Sequence, residues 1–319
     1  MNTFVRAFGY GLFGCASRAL GTLPLLSALP TRQRRRKTAL SESLTTNMAP
    51  SSLFGFSLRC CGLSVVVKLA LFASAAMAVP ARDLGSNIML GMPPLPESNY
   101  TVRHEEVVSS ATVGLPASFD ARDVWGSCIH GVLNQGVCGS CWAFAATECL
   151  SDRLCIESNG TVDVVLSPGD LLACEKLNLG CTCGSLPQWA WSYLQEKGVV
   201  SDACVKYTSG HGDTQKCTTG VCTNSSASNR RYYAATYKHC GSTLSPAKHV
   251  AEIMKCVMDG PVDATFNVYS DFHSFTDGVY TKSKGASYKG LHSVKVVGFG
   301  HDNATGFDYW TVQAPNANP

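Results

Sequence analysis

The order of apolar and polar positions predicts helices in the middle of the chain and strands toward its end. From Cys141 to about Glu157 the chain is rich in alanine and carries few charges. Phe144, Leu150 and Leu154 recur there at roughly helical spacing. We therefore expect a largely buried helix with Cys141 in its first turn.

Three further helices are predicted from start signals, in which a serine precedes a proline at the head of an apolar segment. They start at Ser167-Pro168, at Ser185-Leu-Pro187 with a stop at Gly198, and at Ser245-Pro246 with a stop at Asp259-Gly-Pro261. Strand-like runs follow. They cover residues 262–269, 278–281, 292–299 and 309–313. The last part of the chain is thus predicted to be rich in strands.

The start of the Cys141 helix is a candidate catalytic site. Gly136 and Gly139 break regular structure before it, and Ser140 is placed to cap it. The N–H groups and positive dipole end of a helix stabilise a thiolate, which attacks carbonyl carbons far better than a thiol does. Gln135 could aim its amide N–H at the oxygen of that carbonyl, beside the backbone N–H of Cys141. The competing interpretation is a loop disulfide and an ordinary turn glutamine.

Composition adds information about the compartment. The chain has 319 residues, a formal net charge of +3 and 16 cysteines. This small charge, much of it near the N-terminus, gives no sign of a nucleic-acid surface. So many cysteines indicate an oxidising compartment or metal sites. Four N-glycosylation sequons agree with a secretory route, and they begin at Asn99, Asn159, Asn224 and Asn303.

The N-terminal part divides into three segments by composition. Residues 1–47 are basic and are either an organelle-type transit segment or an extension upstream of the true start. Residues 48–78 hold an apolar run interrupted by Lys68 and end in Ala76-Met-Ala78, which is typical of a cleaved secretory signal peptide. The rival is a signal anchor, but no apolar stretch reaches the roughly 18 residues that span a bilayer. Residues 79–114 are polar and Pro-rich, which favours a linker.

The segment Cys138-Gly-Ser-Cys141-Trp142 fits the active-site signature of papain-like cysteine proteases, which expects a histidine roughly 130–150 residues later. His292 lies 151 residues after Cys141. From about Leu115 to Trp310 the chain resembles the papain family, cathepsin B branch, in segments that follow the family's order. They are Leu115-Pro-Ala-Ser-Phe-Asp-Ala-Arg122, residues 135–144, Cys155, Leu166-Ser-Pro-Gly-Asp-Leu171, Gly198-Val-Val-Ser201, Asp259-Gly-Pro-Val262, Val268-Tyr-Ser-Asp-Phe272, Gly278-Val-Tyr280, His292-Ser-Val-Lys-Val-Val-Gly298 and Tyr309-Trp310.

The resemblance implies an α+β, papain-like fold of two domains with the active-site cleft between them. A mainly helical domain, residues 115–222, would carry Cys141 as the nucleophile. A strand-rich domain, residues 223–319, would carry His292 as the acid and base. The mechanism would require a thiolate–imidazolium pair of these two residues. Gln135 and the Cys141 N–H would form the oxyanion hole, and neither a cofactor nor a metal is implied.

Other correspondences to the family are looser. Gly184 matches a glycine whose backbone pairs with an extended substrate, whereas Cys183 replaces the glycine before it. Residues 79–114 resemble a propeptide that covers the cleft until it is removed, although they are short for this branch. The stretch 204–222 is shorter than the family's occluding loop and offers His211 in place of two adjacent histidines. We therefore expect endopeptidase rather than dipeptidyl-carboxypeptidase activity.

Thirteen cysteines follow Leu115, and setting Cys141 aside leaves enough for six bridges. The resemblance implies the pairs Cys128–Cys155, Cys138–Cys181, Cys174–Cys217 and Cys204–Cys222. The remaining cysteines have no family partners, and the pairs Cys240–Cys256 and Cys149–Cys183 are guesses. The alternative is a zinc site that includes Cys174, Cys181 and Cys183.

The end of the chain departs most from the family, which has an orienting asparagine after the Tyr-Trp pair. Ala314 stands at that position, Asn316 fits it only with a shift, and Pro315 would bend the strand. We expect an incomplete strand-rich domain with unpaired edges and weakened catalysis.

The other histidines are weaker catalytic candidates, because the sequence around them does not match the family; they are His104, His130, His239, His249, His273 and His301.

The sequence therefore predicts a cysteine endopeptidase of the secretory pathway, made as a zymogen and located in a lysosome-like compartment or outside the cell. It would act as a monomer on protein or peptide substrates and meet cystatin-like inhibitors, with neither nucleic acid nor stable membrane insertion after signal cleavage. The alternative is a non-catalytic papain-like homologue that binds peptides or partners. Cys141 and His292 argue against this alternative, and Ala314 argues for it. A faulty gene model at the C-terminus is a third interpretation.

Overall fold

The computed structural model describes residues 114–241 and 246–315, together with four short strands nearer the N-terminus. The helices are α1 (Ala121–Trp125), α2 (Cys141–Glu157), α3 (Pro168–Cys174), α4 (Gly180–Cys183), α5 (Pro187–Glu196) and α6 (Pro246–Met258). The strands are β1 (Asn2–Arg6), β2 (Leu12–Cys15), β3 (Ser57–Cys60), β4 (Leu63–Val66), β5 (Phe119–Asp120), β6 (Tyr237–Cys240), β7 (Val262–Tyr269), β8 (Val279–Tyr280), β9 (Tyr288–Asp302) and β10 (Phe307–Gln313). The predicted α+β class is confirmed.

Helix α2 is buried on nearly every side, as its apolar sequence predicts. Trp142, Ala146 and Leu150 pack with Trp191 of α5 in the core of the helical half. The helix also contacts β7 and β9 of the strand-rich half. The residue at the start of α2 therefore lies where the two halves meet.

The starts of the other helices follow local chemistry. Ser167 caps α3, because its hydroxyl accepts a hydrogen bond from the Asp170 N–H at 2.9 Å. Helix α5 begins one residue later than the serine signal predicts, since Leu186 is the cap residue and makes no side-chain cap. The fixed backbone angle of Pro187, at the first helical position, favours that start instead.

Strands β7, β9 and β10 are antiparallel neighbours in the main sheet. Strand β9 is longer than predicted, so His292 lies within it rather than at its beginning. Phe266 of β7 lies opposite His292 in the register. Gly298 of β9 allows β5 to approach, because a Cβ there would lie 2.4 Å from the carbonyl oxygen of Phe119.

The outer edge of β10 is paired, which corrects the expectation of an open edge. Strand β1 runs antiparallel to β10, with Asn2 opposite Gln313, and parallel to β8. Strand β2 lies between β6 and β7, and β3 pairs with β4. Apart from these strands, the predicted extension (1–47), signal peptide (48–78) and propeptide up to residue 113 lie outside the described residues. Asn99 and His104 lie there too.

The helical half continues past residue 222. Tyr232 pairs with Val199 through two backbone hydrogen bonds, and the Ala234 N–H donates to the Leu194 carbonyl at 3.1 Å. Both partners belong to the core of the helical half. Within the described part of the chain, every helix is too short or too polar to cross a membrane.

Five disulfides join described cysteines, namely Cys128–Cys155, Cys138–Cys181, Cys174–Cys217, Cys204–Cys222 and Cys240–Cys256. The first four are the pairs implied by the family resemblance, and the fifth is a guessed pair. The guess Cys149–Cys183 is wrong, because Cys149 is a free thiol buried inside α2 while Cys183 is disulfide-bonded. The zinc alternative fails as well, since all three of its named cysteines are in disulfides.

Candidate active site

Cys141 is the first residue of α2, and its buried thiol is not part of a disulfide. Ser140 occupies the cap position as predicted, but its side chain makes no capping hydrogen bond. Its hydroxyl lies 2.9 Å from the Tyr207 hydroxyl instead. A serine cap would accept from an N–H group of the first turn. The Ser140 carbonyl accepts from the Ala143 N–H at 2.8 Å instead, and the positive end of the helix dipole still favours negative charge at Cys141.

The loop before α2 holds Gln135 near Cys141. The Gln135 Nε2 donates to the Cys138 carbonyl at 2.9 Å, which fixes one of the two N–H groups of the amide. The Cys138–Cys181 disulfide and a 2.9 Å hydrogen bond from Gly139 N–H to the Cys181 carbonyl fasten this loop to α4. The fully buried Gln135 amide is therefore held in one orientation.

Strand β9 passes the Cys141 sulfur at the residue after His292. The backbone N–H of Ser293 donates to the Cys141 Sγ at 3.4 Å, so the residue before it lies beside the thiol. The Phe266 ring packs edge-on against the His292 imidazole, with centroids 6.0 Å apart. The fold thus sets the segment from Gln135 to Cys141 against the part of β9 that carries His292, 151 residues after Cys141.

The His292 ring is uncharged while it is enclosed. Burial lowers the pKa of His292 to about 4, and repulsion from His273 contributes. The ring is only 4% exposed, and its Nδ1 makes no hydrogen bond to any described residue. A charged imidazole loses its hydration in such a place. The expected thiolate–imidazolium pair therefore requires the site to open to solvent.

Position 314, where the family resemblance implies an asparagine that orients the histidine, holds no polar side chain. Ala314 directly follows β10, is 5% exposed and packs with Val312 in the strand-rich core. A methyl group neither donates to nor accepts from an imidazole. Asn316 lies outside the described residues.

Gly184 is bonded within its own loop. Its N–H donates to the Gly180 carbonyl at 3.0 Å, and its carbonyl accepts from the Leu179 N–H at 2.8 Å. Gly184 has a φ of +65°, which favours glycine. In this arrangement the Gly184 N–H is occupied, and its carbonyl oxygen keeps a second lone pair that can accept another hydrogen bond.

A buried charged cluster that sequence patterns did not reveal lies where α2 meets β9. Lys295 Nζ lies 2.7 Å from an Asp152 oxygen and donates to the His130 carbonyl at 3.1 Å. The side chains of Asp152 and Lys295 are both 0% exposed. The ring nitrogens of His130 lie 2.7 Å from Asp152 and 2.8 Å from Asp163, and the bond to Asp152 is the main cause that raises the pKa of His130. The cluster fastens the helix that carries Cys141 to the strand that carries His292.

Two further contacts join the helical half to residues 260–263 of the strand-rich half. The Arg153 guanidinium, 2% exposed, donates to the Gly260 and Pro261 carbonyls at 2.8 Å each. Trp191 Nε1 donates to an Asp263 oxygen at 3.1 Å.

Burial raises the pKa of Asp263 to about 8 and that of Glu148 to about 7. Both carboxyl groups are therefore protonated in the folded chain at acidic pH.

We expect the free energy of unfolding to fall as the pH rises from about 5 to about 8. Asp263 and Glu148 keep their protons in the folded chain up to pKa values of about 8 and about 7, but lose them near pH 4 when unfolded. The folded state thus binds more protons in this window, and stability is greatest at its acidic end. His292, whose pKa is lowered, opposes this trend only below about pH 6.5. Urea denaturation across this range measures the effect.

The matched variants are Asp263→Asn and Asp277→Asn. Asparagine at 263 still accepts from Trp191 but cannot ionise, so this variant should flatten the pH dependence. Asp277 is exposed, and its variant should keep the wild-type curve. An Asp263→Asn variant with an unchanged pH dependence would show that Asp263 does not carry the effect.

Comparison with known proteins agrees with this geometry. The sequence profile of the papain family cysteine proteases matches residues 115–315. A cathepsin B-like cysteine proteinase 5 of Caenorhabditis elegans is 37% identical over 276 residues, which cover 76% of each chain. Cathepsin B of Dictyostelium discoideum is 38% identical over 207 residues, 62% of this chain and 65% of that protein. The solved procathepsin B S9 of Trypanosoma congolense aligns with a TM-score of 0.53 and 29% identity, covering 70% of this chain and 72% of that one. The chain belongs to the papain family of cysteine proteases.

Proposed function

We propose that this chain is the zymogen of a cathepsin B-like cysteine endopeptidase. Cys141 is the nucleophile, His292 the acid and base, and Gln135 with the Cys141 N–H forms the oxyanion hole. The observation that supports the proposal best is the 3.4 Å hydrogen bond from Ser293 N–H to the Cys141 sulfur. It joins a thiol at a helix start to the residue after a histidine, and thiol catalysis needs a base close to the thiol.

In the first step the Cys141 sulfur bonds to the carbonyl carbon of the scissile peptide, and its proton passes to His292. Negative charge develops on the carbonyl oxygen, where the N–H groups of Gln135 and Cys141 stabilise it. The C–N bond then breaks as His292 returns the proton to the leaving amine, which leaves a thioester. Water loses a proton to His292 and attacks the thioester; the C–S bond breaks and the sulfur regains its proton.

Burial of the reacting pair supports synthesis as a zymogen. Cys141 is 0% and His292 4% exposed, so a substrate reaches them only after the site opens. Residues 79–114 are the candidate propeptide. Opening would also restore hydration to His292 and raise its pKa, which favours the ion pair. Activation by removal of a covering segment would therefore expose the pair and charge it in one event.

A secretory route is supported by the disulfides and by exposed sequons. Disulfides persist in oxidising compartments. The sequon asparagines Asn159, Asn224 and Asn303 are all exposed. We place the mature protein in a lysosome-like compartment or outside the cell, as a monomer that cleaves proteins and is open to cystatin-like inhibitors.

Endopeptidase activity is proposed from the stretch 204–222. A disulfide closes it, and its Gly210 carbonyl accepts from the Val137 N–H at 2.9 Å. The stretch therefore packs against the loop of residues 135–140 before α2, which we call the oxyanion loop. Its one histidine, His211, is exposed. Internally quenched peptides should be cut equally well with a free or an amidated C-terminus. Efficient removal of C-terminal dipeptides, lost on amidation, would contradict this.

Replacing Gln135 by alanine should lower kcat by about 10²–10³-fold with a smaller change in KM, because an oxyanion donor acts mainly in the transition state. Steady-state hydrolysis of a fluorogenic peptide measures it. Gln195→Ala is the matched control, since Gln195 is an exposed glutamine on α5 whose Nε2 donates to the Ala235 carbonyl. An unaltered kcat in Gln135→Ala would show that Gln135 is not a donor of the oxyanion hole.

A wild-type chain that hydrolyses nothing after activation would favour the non-catalytic alternative.

A further inference from the structure

One tyrosine outside the catalytic set contacts both sides of the oxyanion hole. The Tyr207 hydroxyl lies 2.7 Å from the Gln135 carbonyl oxygen and 2.9 Å from the Ser140 hydroxyl. Gln135 supplies the side-chain donor of the hole, and Ser140 immediately precedes the backbone donor of Cys141. A single phenol therefore joins the two chain segments whose separation sets the width of the hole.

The direction of these hydrogen bonds follows from proton counting. A carbonyl only accepts, so Tyr207 must give its single proton to Gln135. Ser140 must then donate its own proton to the Tyr207 oxygen. Burial raises the pKa of Tyr207 to about 12, so the phenol keeps its proton at any pH at which the chain would act.

The ring of Tyr207 is itself held in place. It packs edge-on against Phe144, one turn into α2, with centroids 4.7 Å apart. The neighbouring Gly210 makes the close contact to Gly136, where a Cβ would lie 2.2 Å from the Gly210 carbonyl oxygen. The backbone around Tyr207 is thus packed closely against the oxyanion loop, which fixes the position of the hydroxyl.

We propose that Tyr207 is a positioning residue, which holds the Gln135 segment and the start of α2 at the separation that the oxyanion requires. This role rests on the proposed function. It acts through the two hydrogen-bond donors and not through the sulfur or His292. Removing the hydroxyl should therefore impair steps that create an oxyanion and spare steps that do not.

The test uses Tyr207→Phe in the full chain after activation, with three measurements. We expect kcat for peptide hydrolysis to fall about 10-fold with KM within about 2-fold, the loss typical of one hydrogen bond. A peptide aldehyde, which forms a tetrahedral adduct with an oxyanion, should bind about 10-fold more weakly. Alkylation of Cys141 by iodoacetamide displaces iodide without forming an oxyanion, and its rate should stay within about 2-fold.

Controls separate positioning from a general loss of structure. Tyr193→Phe removes a tyrosine hydroxyl that lies 3.5 Å from Arg231, away from the site, and should change none of the three readouts. In a Gln135→Ala background, Tyr207→Phe should cost less than about 3-fold in kcat, because the main group that it positions is gone. An equal 10-fold loss in both backgrounds, or alkylation that slows together with hydrolysis, would overturn the role. A wild-type chain that neither hydrolyses peptides nor alkylates at Cys141 would instead refute the proposed function, and this role with it.

Discussion

Replacing Cys141 by alanine should lower kcat/KM for peptide hydrolysis by at least about 10⁴-fold, because no other group can form the thioester. The chain offers a matched control in Cys149, a second free thiol on the same helix. Burial raises the pKa of Cys149 well above its ordinary value, so this thiol stays protonated. Cys149→Ala should leave kcat/KM within about 2-fold. Steady-state hydrolysis of a fluorogenic peptide by both variants measures the contrast.

The contrast follows from position along the helix. Cys141 lies at the N-terminus of α2, where the dipole favours an anion, and it receives the Ser293 N–H. Cys149 lies two turns further on, inside the apolar core. Residual hydrolysis clearly above about 0.01% of wild type in Cys141→Ala would mean that another group attacks the substrate.

Asp152→Ala should lower the free energy of unfolding by about 3–5 kcal/mol, because it leaves the fully buried Lys295 ammonium without its carboxylate. The matched control is Asp163→Ala. The Asp163 side chain is 54% exposed at the outer end of the same chain of ion pairs, and its loss should cost about 0–1 kcal/mol. Chemical denaturation at a fixed pH measures both variants.

The double variant Asp152→Ala/Lys295→Met makes this test stricter. Removing both charges leaves no unpaired ion, so the double variant should lose much less than the sum of the two single variants. Additive losses would show that the two residues contribute independently. The cluster would then not be the contact that fastens the helix of Cys141 to the strand of His292.

The sequence predicted the elements that carry the reaction because their signals are local. The Gly-Ser-Cys-Trp motif marks a loop followed by a helix, and α2 begins at Cys141 as expected. A serine and proline pair marks the start of α3 for the same reason. The apolar runs near the C-terminus became β7, β9 and β10, although β9 extends in both directions beyond its predicted bounds.

The remaining features depend on contacts between distant segments, which no spacing reveals. The hydrogen-bond partner of the Ser140 hydroxyl is Tyr207, 67 residues later. The number of cysteines predicts a partner for Cys149, whereas its place inside α2 leaves it a free thiol. In the sequence, Lys295 is a charged residue within an apolar strand. Its pairing with Asp152 is seen only in the folded chain. The charge of His292 likewise depends on how far the finished fold encloses it.

The central claim is that the Cys141 sulfur, and not another thiol, is the reactive group beside His292. The most direct measurement is mass spectrometric mapping of the adduct left by an electrophilic peptide on the activated chain, with Cys149 as the internal comparison. We predict an adduct on Cys141 that is lost in His292→Ala and retained in Cys149→Ala. An adduct on Cys149 alone, or none on either thiol, would contradict the account.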